Sequence, residues 1–304
     1  MEELLRAFFQ ALAKNQSANR WAQRYGHKLG AQRFVAGEQI TDAIRVVREL
    51  NMRHMTATLD HLGEFVADEK EARKAADDCL QALEAIHQHQ VKSTLSLKMT
   101  QLGLDISREL CMENMRKILD KALLYGIVVN IDMEDSARCQ VTLDIFEELL
   151  SEYPNVMTVL QAYLYRSMDD LLRLASKGAS LRIVKGAYKE PESVAYPEKA
   201  DVDANYIKMV EAHLLSPGLT AIATHDEAII EHCKSFIERH QISKDKYEFQ
   251  MLYGIRVNLQ QQLSDEGHPL RIYVPYGDDW YGYFMRRLAE RPANVGFVLK
   301  GMFR

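Results

Sequence analysis

Eight short runs of apolar and β-branched residues recur along the chain from about residue 54, and a longer helical pattern follows each run. Parallel strands need long crossover connections, and helices of this length supply them. Eight such units are the number that closes a βα barrel. We therefore predict an α/β fold, a (β/α)8 TIM-like barrel. The predicted strands are residues 54–60, 93–99, 127–132, 156–163, 180–185, 219–224, 247–252 and 270–274.

The chain is long enough for one barrel and an extension before it. A barrel of this type takes about 250 residues, and the sequence has 304. We predict an N-terminal helical arm over residues 1–50 and a catalytic barrel over residues 51–304. Thr41 and Asp42 are the expected start of the helix that ends the arm.

Apolar residues at helical spacing predict an amphipathic helix at the N-terminus. Such a helix can dock on the barrel or on a partner subunit, and peripheral membrane contact is the alternative. Glu2 and Glu3 stand where a secretory signal carries positive charge, and no apolar run reaches the roughly 18 residues of a membrane span. We expect a cytoplasmic protein, with contact at the inner face of the membrane as the alternative. The apolar residues are Leu4, Leu5, Phe8, Phe9 and Leu12.

The net charge and the spacing of the cysteines argue against nucleic-acid binding and against a zinc site. The net charge is −5, with no long basic run, so we expect no nucleic-acid partner. The cysteines form no C-x-x-C pair, which predicts reduced thiols in a cytosolic protein and no zinc site. They are Cys79, Cys111, Cys139 and Cys233.

Polar residues stand near the carboxyl ends of the predicted strands, the face on which barrel enzymes build their sites. Any one of them alone is explained as a solvated strand end. So many polar residues at a buried barrel mouth indicate a function, because burying polar groups without partners costs free energy. The segment KEPESVAYPE at residues 189–198 is predicted to be a surface loop on this face, where a lid could sit. The polar residues are Lys98, Asp132, Gln161, Lys185, Thr224, His225 and Gln250.

Motifs for several other chemistries are absent from the sequence. No G-x-G-x-x-G follows a strand, and H-E-x-x-H and G-x-S-x-G do not occur. The acids Asp132, Glu134 and Asp135 could hold a divalent metal, but they open a helix, where acids favour the helix dipole. We predict no metal. Lys98 or Lys185 at a strand end also suits a Schiff-base aldolase, and a non-catalytic binding protein is a third interpretation.

An arginine pair near the C-terminus has two interpretations. Tyr283 precedes Arg286 and Arg287 by three and four residues in a helical stretch, so the three side chains share one face. Two adjacent guanidinium groups are suited to holding a carboxylate in a bidentate manner. A charged outer helix with a tyrosine packed beside it explains the same periodicity.

Six strings occur in order from about residue 54 to the C-terminus. Together they resemble the successive motifs of the proline dehydrogenase family, and the coincidence of several independent motifs makes the resemblance specific. The strings are LKMTQLG around Lys98, NIDMED around Asp132, LRIVKGAY around Arg182, ATHD around His225, FQMLYG around Gln250, and YVPYG…YGYFMRR ending in Arg287.

The resemblance implies a substrate site for L-proline. It places the last helix over the barrel mouth, which brings Arg286 and Arg287 onto the substrate carboxylate. Lys98 is then a third cation, and catalytic Asp132 holds Lys98 and the surrounding polar network in place. The implied walls of the pocket are Tyr283, Tyr273, Leu252 and Tyr188.

The resemblance also implies FAD, held noncovalently across the mouth. Catalytic Arg182 would lie close to the reactive nitrogen of the flavin. A glycine allows the backbone to approach a ligand closely, and a lysine offsets pyrophosphate charge. The implied contacts are Met133, Gln161 and Arg182 at the isoalloxazine, Lys185, Gly186 and Ala187 along the ribityl and phosphates, and Thr224, His225 and Gln250 toward the nucleotide end.

The implied reaction is hydride transfer from the proline ring to the flavin, giving Δ1-pyrroline-5-carboxylate. Family members use a quinone as electron acceptor. The chain is too short to include the aldehyde-oxidising domain of bifunctional members, so a separate pyrroline-5-carboxylate dehydrogenase is expected downstream. Lys189 and Asp226 depart from residues found in some members, and the resemblance assigns no contact to either.

Overall fold

Eight parallel strands close into a barrel in chain order, with β1 hydrogen-bonded to β8. The computed structural model describes residues 33–63, 66–281 and 283. Each predicted strand overlaps an observed one, so the prediction of a (β/α)8 barrel is confirmed. The strands are β1 (Thr56–His61), β2 (Ser93–Leu97), β3 (Val129–Ile131), β4 (Val156–Gln161), β5 (Leu181–Val184), β6 (Thr220–Ala223), β7 (Tyr247–Leu252) and β8 (Leu270–Tyr276).

Helices cover the outside of the barrel. Helix α1 precedes β1, and one helix follows each strand from β1 to β7 as the crossover that parallel pairing requires. The helices are α1 (Ile40–Met52), α2 (Glu69–Gln88), α3 (Arg108–Leu124), α4 (Ser136–Glu152), α5 (Ser167–Ala175), α6 (Lys199–Leu214), α7 (Glu227–Arg239) and α8 (Val257–Asp265).

Short polar side chains begin several of these helices. Asp68 caps α2 by accepting from Glu71 N at 2.9 Å, and a side-chain acceptor of this kind satisfies an otherwise unpaired N–H group. Asp135 caps α4 by accepting from Arg138 N at 3.2 Å. The interpretation of the acidic run after β3 as a helix start is therefore confirmed for Asp135.

Helix α1 runs across the predicted boundary between arm and barrel at residue 50. It begins at Ile40, one residue before the expected start, and its buried Val46 and Val47 form part of the apolar core. The helix packs against β1 and β8. Residues 1–32 lie outside the described part of the chain, so the domain boundary and the amphipathic N-terminal helix stay predictions.

The four cysteines are buried thiols, one each in α2, α3, α4 and α7, and none is joined in a disulfide. Burial raises the pKa of Cys139 to about 11. The thiolate is the reactive form of cysteine, so a raised pKa makes this side chain inert at neutral pH. In the described part of the chain, no helix is long and apolar enough to cross a membrane.

His213 is a fully buried histidine at the end of α6, and we expect it to make the fold sensitive to acid. Its Nδ1 lies 2.8 Å from Thr220 Oγ1 and its Nε2 lies 3.1 Å from Ala179 O. Burial lowers the pKa of His213 from 6.5 to about 4. The unfolded chain therefore takes up a proton near pH 6.5 that the native imidazole does not, so stability falls as the pH drops from 6.5 to 4.

The expected loss from His213 across this window is about 3 kcal/mol. Urea unfolding between pH 7 and pH 4 measures it, and His213→Asn, which keeps polar atoms at the site but does not titrate, is the matched variant. The variant should show a shallower decline of unfolding free energy than the wild type. Parallel declines would show that His213 does not contribute.

Candidate active site

A cavity of about 480 Å³ opens at the carboxyl ends of the strands. This volume lies in the range of ligand and cofactor pockets. The cavity brings together all the sequence-predicted site residues that the structure describes; Arg286 and Arg287 lie outside the described residues. The predicted residues that line it are Lys98, Asp132, Met133, Gln161, Arg182, Lys185, Gly186, Ala187, Tyr188, Thr224, His225, Gln250, Leu252, Tyr273 and Tyr283.

Asp132, just after β3, is the centre of a hydrogen-bond network that lines the cavity. Its Oδ1 accepts from Ser96 Oγ at 2.8 Å, Asn130 Nδ2 at 2.7 Å and Arg182 Nη1 at 2.6 Å. Its Oδ2 accepts from the Tyr273 hydroxyl at 2.8 Å. Donors from four strands thus fix one carboxylate, and their side chains are oriented by it in turn.

Lys98 lies between two carboxylates. Its Nζ is 3.4 Å from Asp60 Oδ2 and 3.9 Å from Asp132 Oδ2. The resemblance implies Asp132 as its partner, whereas Asp60, which is 1% exposed near the end of β1, was not predicted. The signal was available, because Asp60 is the last residue of the predicted strand 54–60.

Tyr273 packs against the guanidinium of Arg182, whose Cζ lies 5.5 Å from the ring centroid. Burial, together with the negative charges of Asp132 and Asp60, raises the pKa of Tyr273 well above its ordinary value. The phenol therefore stays protonated, as its donated hydrogen bond to Asp132 requires. The ring presents a rigid wall to the cavity.

The buried donor Arg182 Nε and the buried acceptor Gln161 Oε1, both on cavity-lining side chains, have no hydrogen-bond partner among the described residues. The amide of Gln161 is oriented by Nε2, which donates to Glu134 O at 3.1 Å. Unsatisfied buried groups cost free energy. Their presence at one cavity indicates a polar ligand that carries both an acceptor and a donor.

Gly186 follows β5 and shapes the wall of the cavity. Its φ is +120°, and a Cβ at this position would lie 2.4 Å from Cδ1 of Tyr163. Only glycine fits this backbone conformation and this close approach. The backbone therefore packs directly against the Tyr163 ring at this point, and residues 185–187 line the cavity.

Lys185 forms ion pairs with two carboxylates that were not predicted from the sequence. Its Nζ lies 2.5 Å from Asp203 Oδ1 and 3.0 Å from Asp226 Oδ2. Lys199, the first residue of α6, pairs with Asp203 and lies 3.6 Å from Asp226 Oδ2. We call Lys185, Lys199, Asp203 and Asp226 the mouth cluster.

His225 joins two loops of the cavity rim. Its Nε2 accepts from Leu252 N at 2.9 Å, so Nδ1 carries the proton. Its carbonyl accepts from Arg256 Nη1 at 2.9 Å, and Arg256 also reaches Glu227. The residue predicted at the nucleotide end is thus tied directly to Leu252, which is predicted in the substrate pocket.

The side chain of Gln250 is fixed by Glu248, which pairs with Arg271. Its Nε2 donates to Glu248 Oε1 at 2.6 Å, and Arg271 donates to the two oxygens of Glu248 at 2.7 and 2.9 Å. Arg271 Nη1 also donates to Ala57 O at 2.7 Å. An ion pair within the barrel therefore fixes the amide of Gln250.

The loop at residues 189–198 lies on the surface, as predicted, but it is anchored to the start of α4 and to the segment after β4. Glu190 accepts from Ser136 N at 2.8 Å and from Ser136 Oγ at 2.5 Å. Ala195 is buried and forms a bridge with Leu164. These contacts fix both halves of the segment, so the structure gives no support to a free lid.

The acids considered for a metal are committed to other partners. Asp132 binds cations and hydroxyl groups, and Glu134 accepts from Thr100 N at 3.1 Å and Thr100 Oγ1 at 2.5 Å. Asp135 caps α4. Within the described ranges, no three His, Cys, Asp or Glu side chains group as metal ligands.

The fold and the cavity define a (β/α)8 barrel with a charged, ligand-sized site at the carboxyl ends of its strands. The family model for proline dehydrogenase matches residues 43–300. The chain therefore belongs to the proline dehydrogenase family.

Individual relatives agree with this assignment. Proline dehydrogenase 2 of Bacillus subtilis is 49% identical over 299 residues, which cover 98% of this chain and 99% of the relative. Proline dehydrogenase of Deinococcus radiodurans is 47% identical over 279 residues, 90% of each chain.

A solved structure gives the same picture of the fold. Proline utilization A from Bdellovibrio bacteriovorus, inactivated by N-propargylglycine, matches with a TM-score of 0.79 at 29% identity over 86% of this chain. The matched part is 32% of that protein, so the present chain spans about a third of its length.

Proposed function

We propose that this protein oxidises L-proline to Δ1-pyrroline-5-carboxylate, with noncovalently bound FAD as the cofactor. The observation that carries the proposal is the network around Asp132. It gathers Lys98, which follows β2, with Arg182 of β5 and Tyr273 of β8 into one cavity, in a chain that belongs to the proline dehydrogenase family.

The described residues fit a flavin. An isoalloxazine edge carries acceptor nitrogens and oxygens next to an N–H donor, which complements Arg182 Nε and Gln161 Oε1. Residues 185–187 line the cavity, so an extended ligand there would lie against them. We propose that Met133, Gln161 and Arg182 hold the ring, residues 185–187 the ribityl and phosphates, and Thr224, His225 and Gln250 the nucleotide. When bound, the flavin supplies the hydride acceptor.

The cations of the site have two tasks toward the substrate. Lys98, together with Arg286 and Arg287, is proposed to bind the carboxylate of proline. The same positive charge favours loss of a proton from the substrate ammonium, and only the neutral amine donates hydride readily. Asp132 fixes Arg182 and Tyr273, and with Asp60 it fixes Lys98, so the ring is held in one orientation.

Apolar and aromatic side chains enclose the ring. We propose that Tyr273, Leu252, Tyr188 and Tyr283 form the walls of the proline pocket. Tyr283 is 6% exposed and lines the cavity, which supports placing the segment after β8 over the barrel mouth. A closed wall excludes water from the reacting atoms.

The aldolase alternative is not favoured by the geometry. A Schiff base forms from a free amine, whereas the Lys98 and Lys185 ammonium groups each lie within ion-pair distance of two carboxylates. Borohydride trapping of either lysine with a carbonyl substrate would revive that alternative.

The electron acceptor and the cellular setting are proposed from the resemblance alone. We propose a quinone as acceptor, a separate pyrroline-5-carboxylate dehydrogenase downstream, and a cytoplasmic location, with peripheral contact at the inner face of the membrane as the alternative. Proline-dependent reduction of a water-soluble quinone analogue tests the acceptor. Its failure, with an artificial dye still reduced, would contradict this part of the proposal.

The cofactor is tested by acid precipitation of the purified protein. We expect a yellow protein that releases FAD into the supernatant. Colour retained in the pellet would contradict noncovalent binding. A protein that takes up no flavin even after reconstitution would contradict the proposed function itself.

We expect Lys98→Ala to slow flavin reduction at saturating proline as well as to weaken substrate binding. The lysine is proposed to fix the donor carbon against the flavin, and misplacement by about 1 Å can cost a hundredfold in rate. Stopped-flow flavin reduction measures this. Lys92→Ala, an exposed position just before the same strand, is the matched control, and an unchanged maximal rate in Lys98→Ala would contradict the assigned role.

A further inference from the structure

We infer that Asp226 weakens the binding of the anionic cofactor, because it places a negative charge on the cavity wall next to the lysine proposed to hold the diphosphate. This inference rests on the proposed function. On this inference Asp226 lowers the affinity for the cofactor, whereas its neighbour Lys185 raises it.

The mouth cluster balances its own charge. Two ammonium groups and two carboxylates lie within ion-pair distance, with Lys185 Nζ 2.5 Å from Asp203 and 3.0 Å from Asp226. Lys199 reaches the same two acids. The cluster therefore has no formal net charge, although the cofactor motif that contains Lys185 suggests a positive site.

The topology of the barrel fixes this arrangement. Lys185 follows β5, Lys199 and Asp203 belong to the first turns of α6, and Asp226 precedes α7 directly. Lys185, Lys199 and Asp226 line the cavity, whereas Asp203 lies outside its wall. A ligand at Lys185 therefore meets the carboxylate of Asp226 but not that of Asp203.

Asp226 is an anion at neutral pH. Burial disfavours its charged form, but the hydrogen bond from Lys185 and the charges of Lys185 and Lys199 outweigh this and lower the pKa of Asp226 below its ordinary value. The Asp226 side chain is 29% exposed, so water screens it only in part.

A diphosphate brings two negative charges toward this wall. A like charge on the wall, screened only in part by water, lowers affinity by roughly three- to tenfold. The competing roles for Asp226, orienting Lys185 or accepting a hydrogen bond from a cofactor hydroxyl, predict the opposite sign. The direction of the change on removing the charge therefore separates these roles.

The experiment compares release of FAD from full-length holoenzymes by equilibrium dilution and ultrafiltration, with free FAD measured by fluorescence. Asp226→Asn keeps an oxygen that can accept from Lys185 but removes the charge. We expect its FAD dissociation constant to fall by about three- to tenfold relative to wild type. Its affinity should also become more sensitive to salt, because the cluster then carries a net positive charge.

Asp203→Asn is the matched control, since Asp203 contacts the same lysine from outside the cavity wall. We expect it to change the dissociation constant by less than about twofold, because Asp203 does not line the cavity. An unchanged or raised dissociation constant in Asp226→Asn would overturn the inference, as would an equal tightening in Asp203→Asn. Absence of FAD from the wild type would contradict the proposed function instead.

Discussion

Replacing Asp132 with alanine is expected to lower kcat/KM for L-proline by at least about a hundredfold, the largest loss for any residue that the structure describes. The carboxylate accepts from Ser96, Asn130, Arg182 and Tyr273, and it lies 3.9 Å from Lys98 Nζ. Its removal leaves Arg182 buried without its anion and frees the groups proposed to hold the substrate.

Loss of folding is the alternative cause of low activity in this variant, because breaking a buried ion pair costs about 3–5 kcal/mol of stability. Asp132→Asn keeps the volume and one oxygen, and we expect it to remain folded while losing most of the activity. Steady-state proline oxidation with an artificial acceptor, with FAD content and Tm measured on the same samples, separates the two causes. Folded, FAD-loaded Asp132→Asn with kcat/KM within about twofold of wild type would contradict the central role of the carboxylate.

Replacing Arg286 or Arg287 with methionine is expected to lower kcat/KM by tenfold to over a hundredfold. Each change removes charge-assisted hydrogen bonds to a desolvated carboxylate, worth roughly 1.5–3 kcal/mol. Lysine should restore only part of the activity, because an ammonium keeps the charge without the planar fork. FAD content and Tm should barely change, because neither arginine is assigned to the cofactor.

The outer-helix interpretation of the arginine pair predicts the reverse pattern. Kinetics would stay within about twofold of wild type, and effects would be limited to the ±0.5 kcal/mol of stability typical of surface changes. Arg291→Met, a nearby arginine outside the family motif, is the matched control. Wild-type kinetics in both methionine variants would contradict the proposal that Arg286 and Arg287 bind the substrate carboxylate.

The barrel was predictable because its signal is periodic and local. All eight strands were predicted, and β7 has the predicted bounds, residues 247–252. The ends of other strands differ, since β2 ends at Leu97, before Lys98, and β8 continues through Pro275 to Tyr276. Strand ends depend on pairing with a neighbour, which periodicity alone does not contain.

Most of the residues that line the cavity were also predictable, because parallel strands bring their carboxyl ends together. Lys98, Asp132, Arg182 and Gln250 are far apart in sequence, and they line one cavity. Their roles in binding and catalysis stay predictions. Asp60 was missed because the first strand carries few signals besides its terminal carboxylate.

The partners of the charged residues were not predictable from the sequence. Lys98 lies closer to Asp60 than to Asp132, and Lys185 is engaged by Asp203 and Asp226. Which opposite charges meet depends on side-chain distances across strands and helices, and differences of less than 1 Å decide them. A motif identifies the cation but not the anion that partly neutralises it.

The most direct measurement of the central claim is the visible spectrum of the purified protein before and after L-proline is added without oxygen. The proposed function predicts flavin absorption bands that bleach on addition of L-proline, with Δ1-pyrroline-5-carboxylate formed in equal amount to the flavin reduced. D-proline should not bleach the spectrum, because its ring carbon would be presented wrongly to the cofactor when its carboxylate is bound. A flavin spectrum that L-proline leaves unchanged would contradict the assignment of this cavity to proline oxidation.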